Sequence, residues 1–261
     1  MKRFWRDLTT TDFEADVSDW IAVLPVAAIE QHGPHLPLGT DTIIAEGMIE
    51  RAALKLPPDS KAVFLPLQEV GTSTEHVNFP GALTFDWDTT VNAWLEIGES
   101  VAMSGIEKLV IVTSHGGNTA CMEIVARELR QQFGMVVATT SWEKLGPPRR
   151  EPEGDETYID IHGGDLETSI MLALSPDHVD MSKAKHFESQ QSAMKRRFKH
   201  LGYHSSTANI SWMSEDLNPE GTVGDASAAT AEKGKDIVET TIENFIELIE
   251  EITEFDPPAT S

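Results

Sequence analysis

Apolar runs rich in β-branched residues alternate with segments of helical periodicity through the first two thirds of the chain, and few folds accept that pattern. The runs are Ile21 to Val26, Ala62 to Leu67, Leu109 to Thr113 and Val136 to Thr140. Between them lie helical stretches at about Thr42 to Lys55, Asp88 to Ser104 and Thr119 to Phe133, in which Ile44, Met48, Ile49 and Ala52, or Val91, Trp94, Leu95, Ile97 and Val101, share one face. A βαβα order with near-continuous apolar strands predicts an α/β fold, a mostly parallel sheet covered by helices on both faces. A further helix is expected from Leu166 to Leu174, ending before Pro176. The last, from about Ala228 to Thr253, steps Val238, Ile242, Phe245, Ile249 and Ile252 through a strongly acidic sequence. Two stretches break the pattern. Gly146 to Thr157 reads as a surface loop, and Lys183 to Gly221 as a partly helical excursion over a site or a subunit contact. There is no internal repeat, and residues 1–261 are read as one domain.

Apolar residues at 40% and charged residues at 24% are ordinary globular usage, and a chain of this length buries about 73% of its unfolded surface. The formal charge of −23 repels phosphate backbones and anionic lipid, so neither nucleic acid nor a membrane is an expected partner. Such a field also disfavours highly anionic substrates unless a metal inverts it locally. The one cysteine, Cys121, requires no oxidising compartment, and the N-terminal residues lack the apolar stretch of a secretion signal. A cytoplasmic protein is expected.

Four loop clusters carry the chemistry. The first, Glu30-Gln31-His32-Gly33-Pro34-His35-Leu36-Pro37-Leu38-Gly39-Thr40-Asp41, directly follows a strand. Glu30 and His32 leave extended chain on the same side, and the Gly/Pro turn can return Asp41 to them. Oxygen and nitrogen donors without thiolate suit Zn, Mn or Fe. The plain structural alternative is that Asp41 caps the helix it precedes and that Glu30 is a partnered strand-end charge. The second cluster, Ser114-His115-Gly116-Gly117-Asn118, also follows a strand, and the carboxyl edge of a parallel sheet is where ligands bind; Asn118 can serve there as an N-cap. The third, His162-Gly163-Gly164-Asp165-Leu166-Glu167, enters a helix whose first turn favours its acids. The fourth, Gly71 to Gly81, contributes Glu75 and His76 and is weak alone.

The first cluster is very similar to the signature of the creatininase (creatinine amidohydrolase) family. The resemblance continues through Phe79-Pro80-Gly81, His115 to Asn118, His162-Gly163-Gly164 with Glu167-Thr168-Ser169, and Ala229 to Gly234. It implies a three-layer αβα sandwich, a metal-dependent hydrolase of non-peptide amide C–N bonds, one or two divalent ions (Zn, Mn or Fe), and a homohexamer. By the same resemblance Glu30, His32, Asp41 and His115 are metal ligands, Asp41 bridging two ions, and His162 is the catalytic histidine. Glu167 is expected to act beside His162 or to complete the second metal site. Trp142 and Tyr158 fall where creatininase proper has two tryptophans over its substrate, and His76 and Asn118 complete the expected substrate-contacting set. Creatininase proper has a metal-ligating glutamate at the position of Gly117. Glycine there resembles the broader H-G-G-N branch, which includes formamide deformylases and a peptidase of cofactor maturation.

The resulting expectation is a hydrolase of a small cyclic amide or formamide, with metal-activated water as nucleophile and His162 as proton donor. The alternative is a metal-binding or scaffold protein of the same fold that has lost catalysis. A dinucleotide-binding protein ranks last, since no G-x-G-x-x-G follows the first strand.

Overall fold

The computed structural model describes residues 1–148 and 159–257. Strand β1 (Ile21–Val26), helix α1 (Thr40–Lys55), β2 (Ala62–Phe64), α2 (Trp87–Met103), β3 (Lys108–Thr113), α3 (Thr119–Phe133) and β4 (Val136–Ser141) follow in chain order. The four strands are all parallel and lie in the order β2-β1-β3-β4. Downstream come α4 (Trp142–Leu145), α5 (Asp165–Leu174), β5 (His186–Phe187), α6 (Gln190–Arg197), β6 (Leu201–Gly202), β7 (Ala208–Asn209), α7 (Ser214–Leu217), β8 (Gly224–Asp225) and α8 (Ala231–Glu254).

The period-2 alternation of strand side chains divides the core into two. Ile21, Val23, Phe64, Val110 and Val112 face one way and pack with α1, α5 and α8. Ala22, Leu24, Val26, Leu109 and Ile111 face the other way and meet Val91, Trp94 and Val101 of α2 and Met122, Val125 and Leu129 of α3. This is the expected three-layer αβα arrangement. The apolar stripe of α8 is covered within the chain: Val238, Ile242, Phe245, Ile249 and Ile252 are all buried, and Phe245 stacks on Phe64 with ring centroids 6.0 Å apart. Each such side chain contributes about 1.5–3 kcal/mol on burial. Among the described residues no helix is long and apolar enough to cross a membrane.

Strand β2 ends at Phe64, three residues short of the expected Leu67, for a reason that lies in its neighbour. Leu65 N–H donates to Val23 O at 2.8 Å, and the next ladder bond would need an N–H at Pro25 of β1, which proline lacks. Pairing resumes as a single bridge between Val26 and Gln68, whose amide donates to Pro25 O at 3.0 Å. Helix α1 begins at Thr40, two residues earlier than its periodicity indicates, which places Asp41 inside the first turn. The Lys183 to Gly221 excursion is partly helical, as expected. Phe187 is buried in it and stacks on His35, while Tyr203 and Trp212 are half-buried. Tyr158 and most of the Gly146 to Thr157 stretch lie outside the described residues.

Candidate metal centre

Strands β1 and β3 are neighbours, with Val26 opposite Thr113 in the register. The loops leaving their carboxyl ends therefore start side by side. Glu30 Oε1 and His115 Nδ1 approach to 3.1 Å, and the first turn of α1 brings Asp41 Oδ2 to 3.7 Å from the same Nδ1. Asp41 Oδ1 lies 3.6 Å from His32 Nε2, and Glu167 Oε2, from the first turn of α5, lies 3.8 Å from it. Two groups of three ligand atoms result, each within 4.8 Å of one another and both containing Asp41: Glu30, Asp41 and His115, and His32, Asp41 and Glu167. A third group of the same compactness joins Glu30, His32 and His162.

The capping explanation for Asp41 does not hold. Gly39 is the N-cap of α1, and both Asp41 carboxylate oxygens are buried without a hydrogen-bond partner. Glu30 Oε1 and His32 Nε2 are likewise buried and unpartnered, lying near one another only at ion-pair distance. Buried carboxylate oxygens and an imidazole nitrogen that meet only at ion-pair distances, without hydrogen bonds, carry a desolvation cost that a bound cation would relieve. The oxygen and imidazole donor set, with no thiolate, fits Zn, Mn or Fe; Cys121 is on α3, beside Thr72 Oγ1 at 3.5 Å.

Protonation follows from the same crowding. Burial works against charge on His32, yet Asp41, Glu167 and Glu30 around it hold its pKa up at about 9. His115 is raised well above its ordinary value by Glu30, Glu75 and Asp41 despite full burial. Burial, reinforced by the charge of Glu30, lifts Asp41 to about 6 against the pull of His32 and His115. Glu30 sits well below the usual range because His115, His76 and His162 outweigh its desolvation. Burial and the neighbouring His162 push His76 down to about 2, and burial with His32 lowers His162.

One amide fixes how the remaining histidines face. The Gln31 side-chain amide donates to His76 Nδ1 at 2.9 Å and to the Gly221 carbonyl, so His76 presents Nε2–H to Glu30 Oε1, 3.4 Å away. His162 Nε2–H donates to Gln31 O at 2.6 Å, which turns Nδ1 toward Glu30 Oε1 at 3.6 Å. The excursion and the segment after it close this side, where Thr222 Oγ1 donates to His162 O at 2.6 Å. Gly163 has φ 64°, and a β-carbon there would meet Thr222 Oγ1 and His32 O, so the turn presenting His162 admits only glycine.

The structure thus brings together Glu30, His32, Asp41, His115, His162, Glu167 and His76. It does not bring Trp142, which is 2% exposed and packs on Phe245 at 5.0 Å in the α8 side of the core. Asn118 lies close by, but its amide is spent on backbone: Nδ2 donates to Ala27 O at 3.0 Å and Oδ1 accepts from Thr72 N at 2.9 Å, so it ties loops together and has no group left for a substrate. Sequence reasoning assigned nothing to Gln31, Ser73 or Glu75. Ser73 Oγ donates to Glu30 Oε2, and Glu75 Oε1 lies 3.3 Å from His115 Nε2. The adjacent Glu75-His76 pair in a loop after a strand was the only signal pointing there.

Comparison with known proteins agrees with this geometry. The creatininase (creatinine amidohydrolase) family model matches residues 6–249. The creatinine amidohydrolase of Pseudomonas putida is 28% identical over 274 residues, covering 97% of this chain and 98% of its own. A mycofactocin precursor peptide peptidase of Mycolicibacterium smegmatis is 33% identical over 161 residues, 61% of this chain and 60% of its own. A crystal structure of creatininase has a TM-score of 0.73 at 26% identity, with 97% of this chain and 98% of that one covered. A manganese form has a TM-score of 0.74 at 25% identity, with coverage of 98% and 100%. With the parallel sheet, the loop clusters at its carboxyl edge and the match along nearly the whole length all in agreement, the chain belongs to the creatininase family of metal-dependent amidohydrolases.

Proposed function

We propose that this chain hydrolyses a non-peptide amide C–N bond of a small cyclic amide or formamide at a pair of divalent metal ions. The observation that carries the reading is Asp41: its two carboxylate oxygens are both buried and unpartnered, and each faces a different histidine, His32 and His115. Glu30, Asp41 and His115 would hold one ion, and His32, Asp41 and Glu167 the other. Divalent ions held there supply the Lewis acidity that makes water nucleophilic at neutral pH and polarises an amide carbonyl.

The remaining chemistry belongs to the chain. Neutral His162 keeps its Nε2 proton on Gln31 O and turns Nδ1 toward the centre, so it first accepts the proton of the attacking water and then delivers it to the departing nitrogen. The expected role of proton donor thereby becomes the second half of a base-then-acid cycle. His76 offers Nε2–H on the same side, where it orients Glu30. Glu167 accepts the Gly163 amide at 2.6 Å, which fixes one end of its carboxylate.

Glycine at 117 favours the H-G-G-N branch over creatininase proper, with Glu167 completing the second group of ligands. The segment after the Glu75-His76 loop exposes Leu83 (56%), Phe85 (44%) and Trp87 (64%), which supports a homohexamer whose neighbouring chains cover this face. Metal analysis of the chain purified without added metal, beside a turnover screen of cyclic amides, formamides, lactones and short peptides, tests the proposal. Two bound ions with turnover of an amide are expected; no metal and no turnover would exclude it. Light scattering across a salt series tests the assembly.

A further inference from the structure

Glu75 has no place in the ligand groups. Its carboxylate lies on the far side of the His115 ring, 3.3 Å from Nε2, while Nδ1 on the near side faces Glu30 and Asp41. The Thr72 carbonyl is 3.0 Å from the same Nε2. Two oxygens on one ring nitrogen mean that Nε2 carries the proton, since a bare lone pair there would meet two acceptors. When an ion displaces the proton on Nδ1, the ring is left in the tautomer whose Nδ1 lone pair points at the metal groups.

A second, independent feature is built around this contact. A β-carbon at Gly117 would overlap Glu75 Oε1 and His115 Nε2 at once, and would lie 2.9 Å from Thr72 O. Gly117 sits in the single turn between β3 and α3 with no special demand on its φ. Its missing side chain makes room for the approach of Glu75 and Thr72 to His115. Glu75 is flanked by two residues that engage Glu30. Ser73, two residues earlier, donates to Glu30 and accepts nothing from the ring, and His76, one residue later, faces Glu30. The segment from Thr72 to His76 therefore wraps the two side chains that meet at 3.1 Å, with 17% of the Glu75 side chain exposed.

We infer that Glu75 is a positioning residue that, with the Thr72 carbonyl, fixes the His115 ring for metal ligation through Nδ1, and that position 117 is glycine to admit it. The inference rests on the reading of the site as a metal centre. A carboxylate behind a ligating imidazole orients the ring and makes it a stronger donor, and losing such a partner weakens metal binding by about 10-fold to 100-fold.

The test uses the full chain freed of metal and titrated with zinc in competition with a chromogenic chelator. Glu75→Ala is expected to weaken zinc binding by about 10-fold to 100-fold while the far-ultraviolet circular dichroism of the metal-free chain stays that of the parent. Glu75→Gln, whose amide oxygen can still accept Nε2–H, is expected to recover most of that loss. Gly117→Ala, which forces the carboxylate or the ring aside, should weaken binding as Glu75→Ala does. Zinc affinity within twofold of the parent in Glu75→Ala overturns the inference, and so does an equal loss in Glu75→Gln and Glu75→Ala, because orientation by a hydrogen bond would then not be what Glu75 supplies. If Glu75→Ala does not fold, Glu75→Gln against Gly117→Ala decides: tight binding in the first with weak binding in the second supports the inference, and parental affinity in Gly117→Ala overturns it. A parent chain that binds no zinc removes the metal centre itself, an outcome distinct from a parent that binds and a Glu75→Ala variant that binds equally well.

Discussion

Glu30 and His115 lie 85 positions apart in the sequence and meet at 3.1 Å because the strands that precede them are hydrogen-bonded neighbours in register. Both are placed by loops that leave adjacent strand ends, outside the packed core layers, and substitutions within the centre should report on ligation more than on folding.

His32→Ala and His115→Ala are expected to abolish activity and to lower metal content while the far-ultraviolet circular dichroism stays that of the parent. Each removes a ligand whose loss leaves the remaining groups unable to hold a divalent ion. Normal metal content in either variant, read by elemental analysis, would show that its imidazole is not a ligand.

Glu167→Gln separates the two ion positions. It touches the group containing His32 and Asp41 and leaves Glu30, Asp41 and His115 intact. Elemental analysis should read one ion per chain in place of two. A stoichiometry unchanged at two would return Glu167 to a purely catalytic or structural role.

His162→Ala should keep its metal and lose turnover by about 10² to 10⁴. The ring is oriented by Gln31 O at 2.6 Å and contributes to no ligand group that contains Asp41. Steady-state kinetics on an accepted amide checks it, and parental kcat would exclude His162 from proton transfer.

Acidity should compete with the metal. His32, at about 9, and His115, well above its ordinary value, are both protonated in the metal-free chain at neutral pH. Because these folded-state values exceed the unfolded value of about 6.5, the stability they contribute is complete below that pH and is lost as pH rises through their folded values. A divalent ion must displace the same protons. Zinc affinity is therefore expected to climb between pH 6 and pH 8, roughly, with proton release measurable by calorimetry in buffers of different ionisation enthalpy. The metal-free chain should instead melt at progressively lower temperature as pH approaches the folded value of His32. A flat zinc affinity over that range would show that neither imidazole is a ligand.

Phe245→Ala tests the core on the α8 side. The ring is fully buried between Phe64 and Trp142, with centroids 6.0 Å and 5.0 Å away. A loss of about 3–5 kcal/mol in urea unfolding is expected. A loss under about 1 kcal/mol would mean that α8 does not pack there.

The layers and most of the elements were legible because they rest on local periodicity. The apolar run at Ile21 to Val26 and the helix at Thr119 to Phe133 coincide with β1 and α3 residue for residue. Where a neighbour decides, sequence reading stopped short: β2 ends early because Pro25, on the adjacent strand, has no N–H to continue the ladder beyond Leu65. The site shows the same division. Glu30, His32 and His115 lie in strand-end loops and Asp41 in the first helical turn after one, close enough in sequence to be picked out by spacing and resemblance. Gln31 was not, because its amide reaches the Gly221 carbonyl across 190 residues, and nothing local marks that pairing. Trp142 was expected beside the substrate by resemblance alone, and the turn into α4 aims its ring at Phe245, a partner 103 positions on that nothing local marks.

Helix α8 covers the sheet face that carries Ile21, Val23, Val110 and Val112, and these strand residues are synthesised long before it. At elongation rates of about 5–20 residues per second, that face waits roughly 5–50 s for α8. During this interval α1, and later α5, cover only their own share of that face, and the strip that Val238, Ile242, Phe245 and Ile249 will fill stays open. Slower translation of the stretch before α8 lengthens that exposure without altering a single residue of the finished protein.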